Sequence, residues 1–267
     1  MAYTMLSLER YGPWALVTGA SSGIGMSFAR QLAAAGFNLV ITARRTQRLD
    51  ALAAELQQQH PITVKTVNLD LSDTASLSHL VEACHNKDIG LIISNAGFGF
   101  KQRHHKLRMS DLDNMLNVNC RAPMALSHHF LPHLLERGKG GFIITSSVEA
   151  YFGVPGSAAY SATKSFAKTL GEALYGETVG CGVDTLVLCP GLTDTEAPTL
   201  QGFDKKEMKG MKSPDDVAAA ALQSLGKQPV LMSASLPFRC MIQIARLLPR
   251  GLLLRKASAS IDKIIRP

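Results

Sequence analysis

Trp14-Ala15-Leu16-Val17-Thr18 runs without a break into Gly19-Ala20-Ser21-Ser22-Gly23-Ile24-Gly25, and a helical pattern follows at once. The first five residues read as a buried strand. The glycines lack a Cβ, so the chain can turn sharply and approach a ligand closely. The helix that opens behind them presents free backbone N–H groups and the positive end of its dipole, which attract an anion such as a pyrophosphate. Gly19, Ser21, Ser22, Gly23, Ile24 and Gly25 are therefore candidate binding residues. Their spacing is G-x-x-x-G-x-G, and a strand–glycine turn–helix unit of this kind opens a doubly wound α/β domain.

The pattern continues outward. Apolar runs at residues 14–18, 38–43, 62–68, 89–94, 141–146 and 184–189 predict strands. Helical periodicity occupies 25–35, 46–59, 74–86, 110–136, 158–178 and 214–225. A βα alternation repeated in this way predicts a parallel sheet joined by crossover helices in three layers, a Rossmann-type fold. Ser72 and Asp73 before one helix, and Ser213-Pro214-Asp215-Asp216 at another, have the cap-then-acid order of helix starts.

The second strand ends Ile41-Thr42-Ala43-Arg44-Arg45, where an enzyme using NAD would place an acid against the ribose hydroxyls. Two guanidiniums suit a 2′-phosphate instead, so Arg44 and Arg45 predict NADP(H) in preference to NAD(H). Tyr160 and Lys164 are four residues apart on one helical face, where the ammonium is expected to favour the ionised phenol. Such a tyrosine exchanges a proton with a carbonyl or alcohol oxygen. Ser147, thirteen residues earlier at a strand end, is placed to hydrogen-bond the same oxygen.

Together these residues resemble the short-chain dehydrogenase/reductase family, over about residues 14–197. The resemblance implies a catalytic set of Asn119, Ser147, Tyr160 and Lys164, with Asn117 a weaker match than Asn119. It also implies adenine contacts from Asp70-Leu71 and from Asn95-Ala96-Gly97, and nicotinamide contacts from Pro190-Gly191 and Thr193, while Lys164 would also hold the ribose. Tyr11-Gly12-Pro13-Trp14-Ala15 and the stretch from Cys189 to Glu196 are similar to a bacterial subgroup of short-chain reductases. The first also resembles long-chain 3-oxoacyl-CoA reductases. The resemblance implies an oxidoreductase acting on a hydrophobic or acyl-type carbonyl or the matching alcohol, and a homodimer or homotetramer built on the helices at 110–136 and 158–178. A non-catalytic redox sensor or scaffold on the same fold is the alternative.

Ser94 and Glu149 depart from the family pattern. Glu149 either borders the substrate pocket or points to solvent.

Charge divides the chain. Eight of its 28 basic residues but only one of its 21 acids, Asp262, lie from Lys227 onward, which leaves 20 of each in residues 1–226. The first segment is read as the catalytic domain and 227–267 as a basic amphipathic extension. In that extension Arg239, Gln243 and Arg246 form a polar stripe among apolar residues. Leu254, Ala257, Ile261, Ile264 and Ile265 continue an apolar face, with Arg255, Lys256, Lys263 and Arg266 around it. It either packs on its own domain or a sister subunit, or covers an acyl-chain pocket, or makes peripheral contact with an anionic membrane surface.

With few aromatics among these bases, nucleic acid is not expected as a partner. His128, His129 and His133 lack further ligands, so no metal is expected. Five cysteines without a close pair, and a start lacking a signal-peptide pattern, predict free thiols and a cytoplasmic protein. Lys205, Lys206, Lys209 and Lys212 either meet an acidic carrier such as a CoA phosphate or are merely solvated.

Overall fold

The computed structural model describes residues 6–201, 208 and 210–261. Lys205, Lys206 and Lys209 lie outside the described residues, as do Asp262, Lys263, Ile264, Ile265 and Arg266. Strands β1 (Trp14–Thr18), β2 (Asn38–Ala43), β3 (Val64–Asn68), β4 (Ile89–Ser94), β5 (Gly140–Thr145), β6 (Val183–Pro190) and β7 (Val230–Ser233) form one sheet in the order β3-β2-β1-β4-β5-β6-β7. All pairings are parallel. The order reverses direction between β1 and β4, which opens a crevice at the strand C-termini where such sheets bind ligands.

The alternation of side chains along each strand explains the three layers. Val17, Ile41, Ile93, Ile143 and Leu186 point to one face, against α2 (Gly23–Ala34), α3 (Thr46–Gln59) and α9 (Pro214–Ser224). Their immediate neighbours Leu16, Val40, Ile92, Phe142 and Ile144 point to the other, against α4 (Ser76–Cys84), α6 (Ala122–Arg137) and α7 (Ala158–Thr178). Both faces are covered, so the central strands need unbroken apolar runs.

At the opposite end of the sheet from the crevice, Tyr11 and Arg10 from α1 (Leu8–Tyr11) donate to the same oxygen of Asp184 at 2.5 and 2.7 Å. Arg137 donates to the Gly12 carbonyl at 2.7 Å. The Tyr11-Gly12-Pro13-Trp14-Ala15 stretch thus closes the bottom of the sheet, far from the strand C-termini.

Three elements differ from the sequence-based expectation. Helix α4 begins at Ser76, not directly after Asp73, because Asp70 and Asp73 each accept from the backbone two residues on and hold that stretch in turns. The helix expected over 110–136 is two helices, α5 (Met109–Leu116) and α6, joined by a π-helical turn at Asn117–Arg121. Strand β7 lies beyond Lys227, so the sheet extends into the segment assigned to the extension.

A short α8 (Ala197–Leu200) follows β6, and α10 (Leu236–Leu247) and α11 (Arg250–Ile261) complete the described chain. Ile242 and Ala245 of α10 are buried, and Ile242 packs with Val148, Met232 and Ala234. On other faces Leu236, Met241, Ile244 and Leu247 are exposed, Leu247 at 87%.

Candidate active site

The glycine turn is built by contacts that no side chain could share. A Cβ on Gly25 would fall 2.3 Å from the Gly19 carbonyl oxygen and 2.6 Å from Asn95 Nδ2. Gly19 and Gly23 also have positive φ, 69° and 54°, the left-handed region that glycine occupies without strain. Thr18 anchors the turn to its neighbour strand: its hydroxyl accepts from the N–H groups of Asn95 and Ala96, while Asn95 donates back to the Thr18 carbonyl. Ser21, Ser22 and Ile24 then sit at the mouth of α2, whose N-terminus faces the crevice.

Arg45 reaches over this turn. It donates to Ser21 Oγ at 3.1 Å, to Ser22 Oγ at 2.6 Å and to Glu196 at 2.6 Å. Glu196 also accepts from Arg48 at 2.5 Å, and these two guanidiniums hold its carboxyl down to about 2. Arg44 is more exposed, 3.7 Å from Asp70 and over the Phe98 ring. Asp70 and Leu71 form the neighbouring wall.

Across the crevice stand Ser147, Tyr160 and Lys164. Ser147 caps the 3-10 turn Val148–Tyr151, accepting from the Glu149 N–H at 3.1 Å. Tyr160 and Lys164 come from the first turns of α7. Lys164 is buried; it donates to the Thr145 carbonyl at 3.0 Å and its ammonium lies 5.7 Å from the Tyr160 ring centre. The loop after β4 must be glycine-rich to pass them. A Cβ on Gly97 would lie 2.8 Å from Lys164 Nζ, and one on Gly99 would lie 2.3 Å from Tyr160 Cδ2.

Charge in this wall runs against one expectation from sequence. Lys164 does not lower the phenol: burial first, then the Glu149 carboxylate, raises Tyr160 well above its ordinary value, against the hydrogen bond of the Ser147 hydroxyl. Burial likewise pushes Lys164 down to about 8. The reason is that desolvation penalises whichever form is charged, in both groups. Cys189, at the end of β6, is raised to about 11 by burial.

Asn119 lies in the π-helical turn, buried behind the wall. Its amide donates to the Phe98 carbonyl at 2.8 Å and to Thr163 at 3.0 Å, and it accepts from the Phe98 N–H. Asn117 instead donates to the Ser72 carbonyl, away from Lys164. Beyond β6, Pro190 and Gly191 pass against Ala234, and the buried Thr193 hydroxyl donates to the Gly191 carbonyl at 3.0 Å.

One cleft of about 790 Å³ thus gathers the candidates from the glycine turn, both arginines, Asp70-Leu71, Asn95-Ala96-Gly97, the Ser147–Tyr160–Lys164 wall and Pro190, Gly191 and Thr193. Gly25 and Asn119 support it from behind. Among charged groups without an assigned role, Lys101, which no motif marks, and Glu196, the last residue of the Cys189–Glu196 stretch, also line it. Glu149 faces this cleft, with its cation supplied by the chain's own Lys101 at 2.5 Å. Among the described residues, no group of three or more His, Cys, Asp or Glu side chains is placed to hold a metal ion.

Residues 13–204 match the family model described as short chain dehydrogenase. The chain is 29% identical to a 7beta-hydroxysteroid dehydrogenase of Clostridium sardiniense over 231 residues, covering 85% of this chain and 88% of that one. It is 28% identical to a very-long-chain 3-oxoacyl-CoA reductase of Homo sapiens over 221 residues, 81% of this chain and 70% of that one. Among solved structures, one from a study of 7beta-hydroxysteroid dehydrogenase stereoselectivity superposes with a TM-score of 0.87 at 25% identity, covering 94% and 98% of the two chains. A short-chain dehydrogenase from Sphingobium yanoikuyae in complex with NADPH superposes at 0.79 with 28% identity, covering 91% and 95%.

Proposed function

Because the chain belongs to the short chain dehydrogenase family and is an oxidoreductase of it, we propose that it interconverts an alcohol and a ketone or aldehyde, using NADP(H) and Tyr160 as general acid and base. The convergence of Ser147, Tyr160 and Lys164 on one wall of the cleft that also holds the glycine turn carries this reading.

The residues fit a dinucleotide. The turn has no Cβ where a pyrophosphate must approach, and Arg44 and Arg45 stand one strand away, as a 2′-phosphate requires. The nicotinamide ring supplies or accepts the hydride. Pro190, Gly191 and Thr193 would border that ring, Lys164 would hold its ribose, and Asp70, Leu71, Asn95, Ala96 and Gly97 the adenine side. Ser147 would hold the substrate oxygen beside the Tyr160 hydroxyl. A phenol raised by burial is neutral at working pH, which is the form that gives a proton to a carbonyl oxygen. Asn119 would fix the loop after β4 and, through its backbone, the environment of Lys164.

Arg45 carries the cofactor preference. Charge-assisted hydrogen bonds contribute about 1.5–3 kcal/mol each, so Arg45→Ala is expected to weaken NADPH binding by at least about tenfold. NADH binding should change little. Fluorescence titration with both cofactors checks this, and equal losses for the two would refute the 2′-phosphate assignment.

The substrate is proposed to be a hydrophobic or acyl-type carbonyl. Phe152, Val154, Leu192, Met208, Phe238 and Ile242 line the cleft beyond Tyr160, and the relatives are named for a steroid and for long acyl chains. A panel of 7-oxosteroids and 3-oxoacyl-CoA thioesters of rising chain length, followed by NADPH absorbance, tests the activity. Tight NADPH binding with no turnover across that panel would favour a dinucleotide-binding sensor instead.

The tail supports a second proposal. No helix among the described residues is long and apolar enough to cross a membrane. Yet α10 leaves Leu236, Ile244 and Leu247 uncovered, and residues 227–261 contain basic residues but no acid. Two such tails meeting about a symmetry axis would repel, whereas an anionic bilayer complements them. We propose a cytoplasmic protein, a homodimer or homotetramer through α6 and α7, that contacts anionic membrane through this face. The full chain is expected to co-sediment with phosphatidylserine-containing vesicles but not with zwitterionic ones, and Leu247→Gln should reduce that binding severalfold. Failure to sediment with either vesicle refutes the membrane contact.

A further inference from the structure

Lys101 belongs to none of the motifs above, yet its ammonium lies 5.9 Å from the centre of the Tyr160 ring, almost as near as that of Lys164 at 5.7 Å. Its side chain is only 9% exposed, so water does little to screen it. It donates to Glu149 Oε1 at 2.5 Å and to Ser157 Oγ at 3.0 Å. The other Glu149 oxygen accepts from Ser161 Oγ at 3.3 Å.

The placement follows from the backbone. Gly99 presses on the Tyr160 ring, where a side chain would collide with Cδ2, and this brings Lys101, two residues on, alongside the phenol. Glu149 arrives from the turn that Ser147 caps. One ion pair therefore ties together the loop after β4, the Val148–Tyr151 turn and the start of α7. A pair this enclosed is costly to break from one side, because the remaining charge stays uncompensated in a poorly solvated place.

We propose that Lys101 and Glu149 are positioning residues for Tyr160, which balance the charge felt by its phenol and fix the substrate-side wall of the cleft. The inference rests on the assignment of Tyr160 as the acid–base group. The groups that face this phenol are Lys164 on its own helix, Lys101, Glu149, the Ser147 hydroxyl and Cys189 of β6. Cys189, raised to about 11, is neutral at working pH. Lys101 and Glu149 are thus opposed charges facing one ring, and of the two the Glu149 carboxylate dominates at the phenol.

The sign of each change follows. Without Lys101 the Glu149 carboxylate stands unopposed and disfavours the phenolate, so the Tyr160 titration moves to higher pH. Without the Glu149 charge, Lys101 favours the phenolate and the titration moves to lower pH. A unit charge at about 6 Å in a partly screened site is enough for a shift of about one pH unit.

The test is a near-ultraviolet tyrosinate titration of the NADP⁺-saturated full chain, with each background measured as its difference from the same background carrying Tyr160→Phe. Lys101→Met is expected to raise the midpoint by up to about one pH unit and Glu149→Gln to lower it by about one, with the double variant falling between the two single variants. Should Lys101→Met fail to fold, the isosteric Glu149→Gln carries the test alone. Midpoints that coincide with wild type overturn the inference, because a purely structural pair would alter stability without moving this titration. The Tyr160 assignment fails separately, through retained turnover in Tyr160→Phe.

Discussion

Tyr160→Phe is expected to lower the rate of carbonyl reduction by about 10³-fold, within the range that a positioned general acid contributes. NADPH affinity should stay within about twofold, since a uniform loss of binding would not accompany removal of a proton donor. The substitution deletes one oxygen. The ring itself remains wedged against Gly99 and between two ammoniums, at 5.7 and 5.9 Å from its centre, so the wall should keep its shape. What disappears is the proton that must reach the substrate oxygen as hydride arrives. The residual rate should also lose its dependence on the ionisation of this group. In the wild type, oxidation of an alcohol needs the phenolate and rises with pH, whereas reduction needs the neutral phenol that burial and Glu149 favour. Steady-state rates in both directions, with NADPH affinity measured separately, check each part. Turnover within tenfold of wild type would remove Tyr160 from the mechanism.

The parts of this wall differ in how far they could be read beforehand. Strands β1, β2, β4, β5 and β6 were legible because helices cover both faces of the sheet, and burial on both faces demands unbroken apolar runs. β7 is four residues long, sits at the sheet edge after Pro229, and offers too short a run to separate from the tail. The π-helical turn at Asn117–Arg121 escaped for a related reason: one residue of added winding hardly disturbs the apolar period on either side. The glycine turn and the Tyr160–Lys164 pair are local in sequence, so their spacing speaks directly. The ion pairs of Lys101 with Glu149 and of Arg45 with Glu196 join residues 48 and 151 positions apart, and no spacing rule reaches across such distances. Neither the burial of Tyr160 nor the Glu149 carboxylate beside it is visible in the Tyr160–Lys164 spacing, so a reading from Lys164 alone lowered a phenol that the folded chain raises.

Lys164→Met is expected to abolish most activity while leaving the protein at least as stable as before. Loss of the buried ammonium removes the group proposed to hold the ribose, and a fall of at least about 10²-fold in kcat/KM should follow. Stability moves the other way. Burial holds the folded-state value of Lys164 at about 8, below the 10.5 of an exposed lysine. Between these values the unfolded chain binds more protons than the folded one, so stability rises with pH across that window. Below pH 8 the full cost of burying the charge is present, on the order of 3 kcal/mol. Methionine fills a similar volume without that cost, though it leaves the Thr145 carbonyl without its donor, a loss of about 1 kcal/mol. The net expectation is a Tm raised by several degrees at neutral pH, with the difference from wild type shrinking as pH approaches 10. Thermal melts across that range, run beside NADPH-oxidation assays, separate the two effects. A Tm lowered at pH 7 would show that the ammonium stabilises this fold, and that the site is not held at the expense of stability.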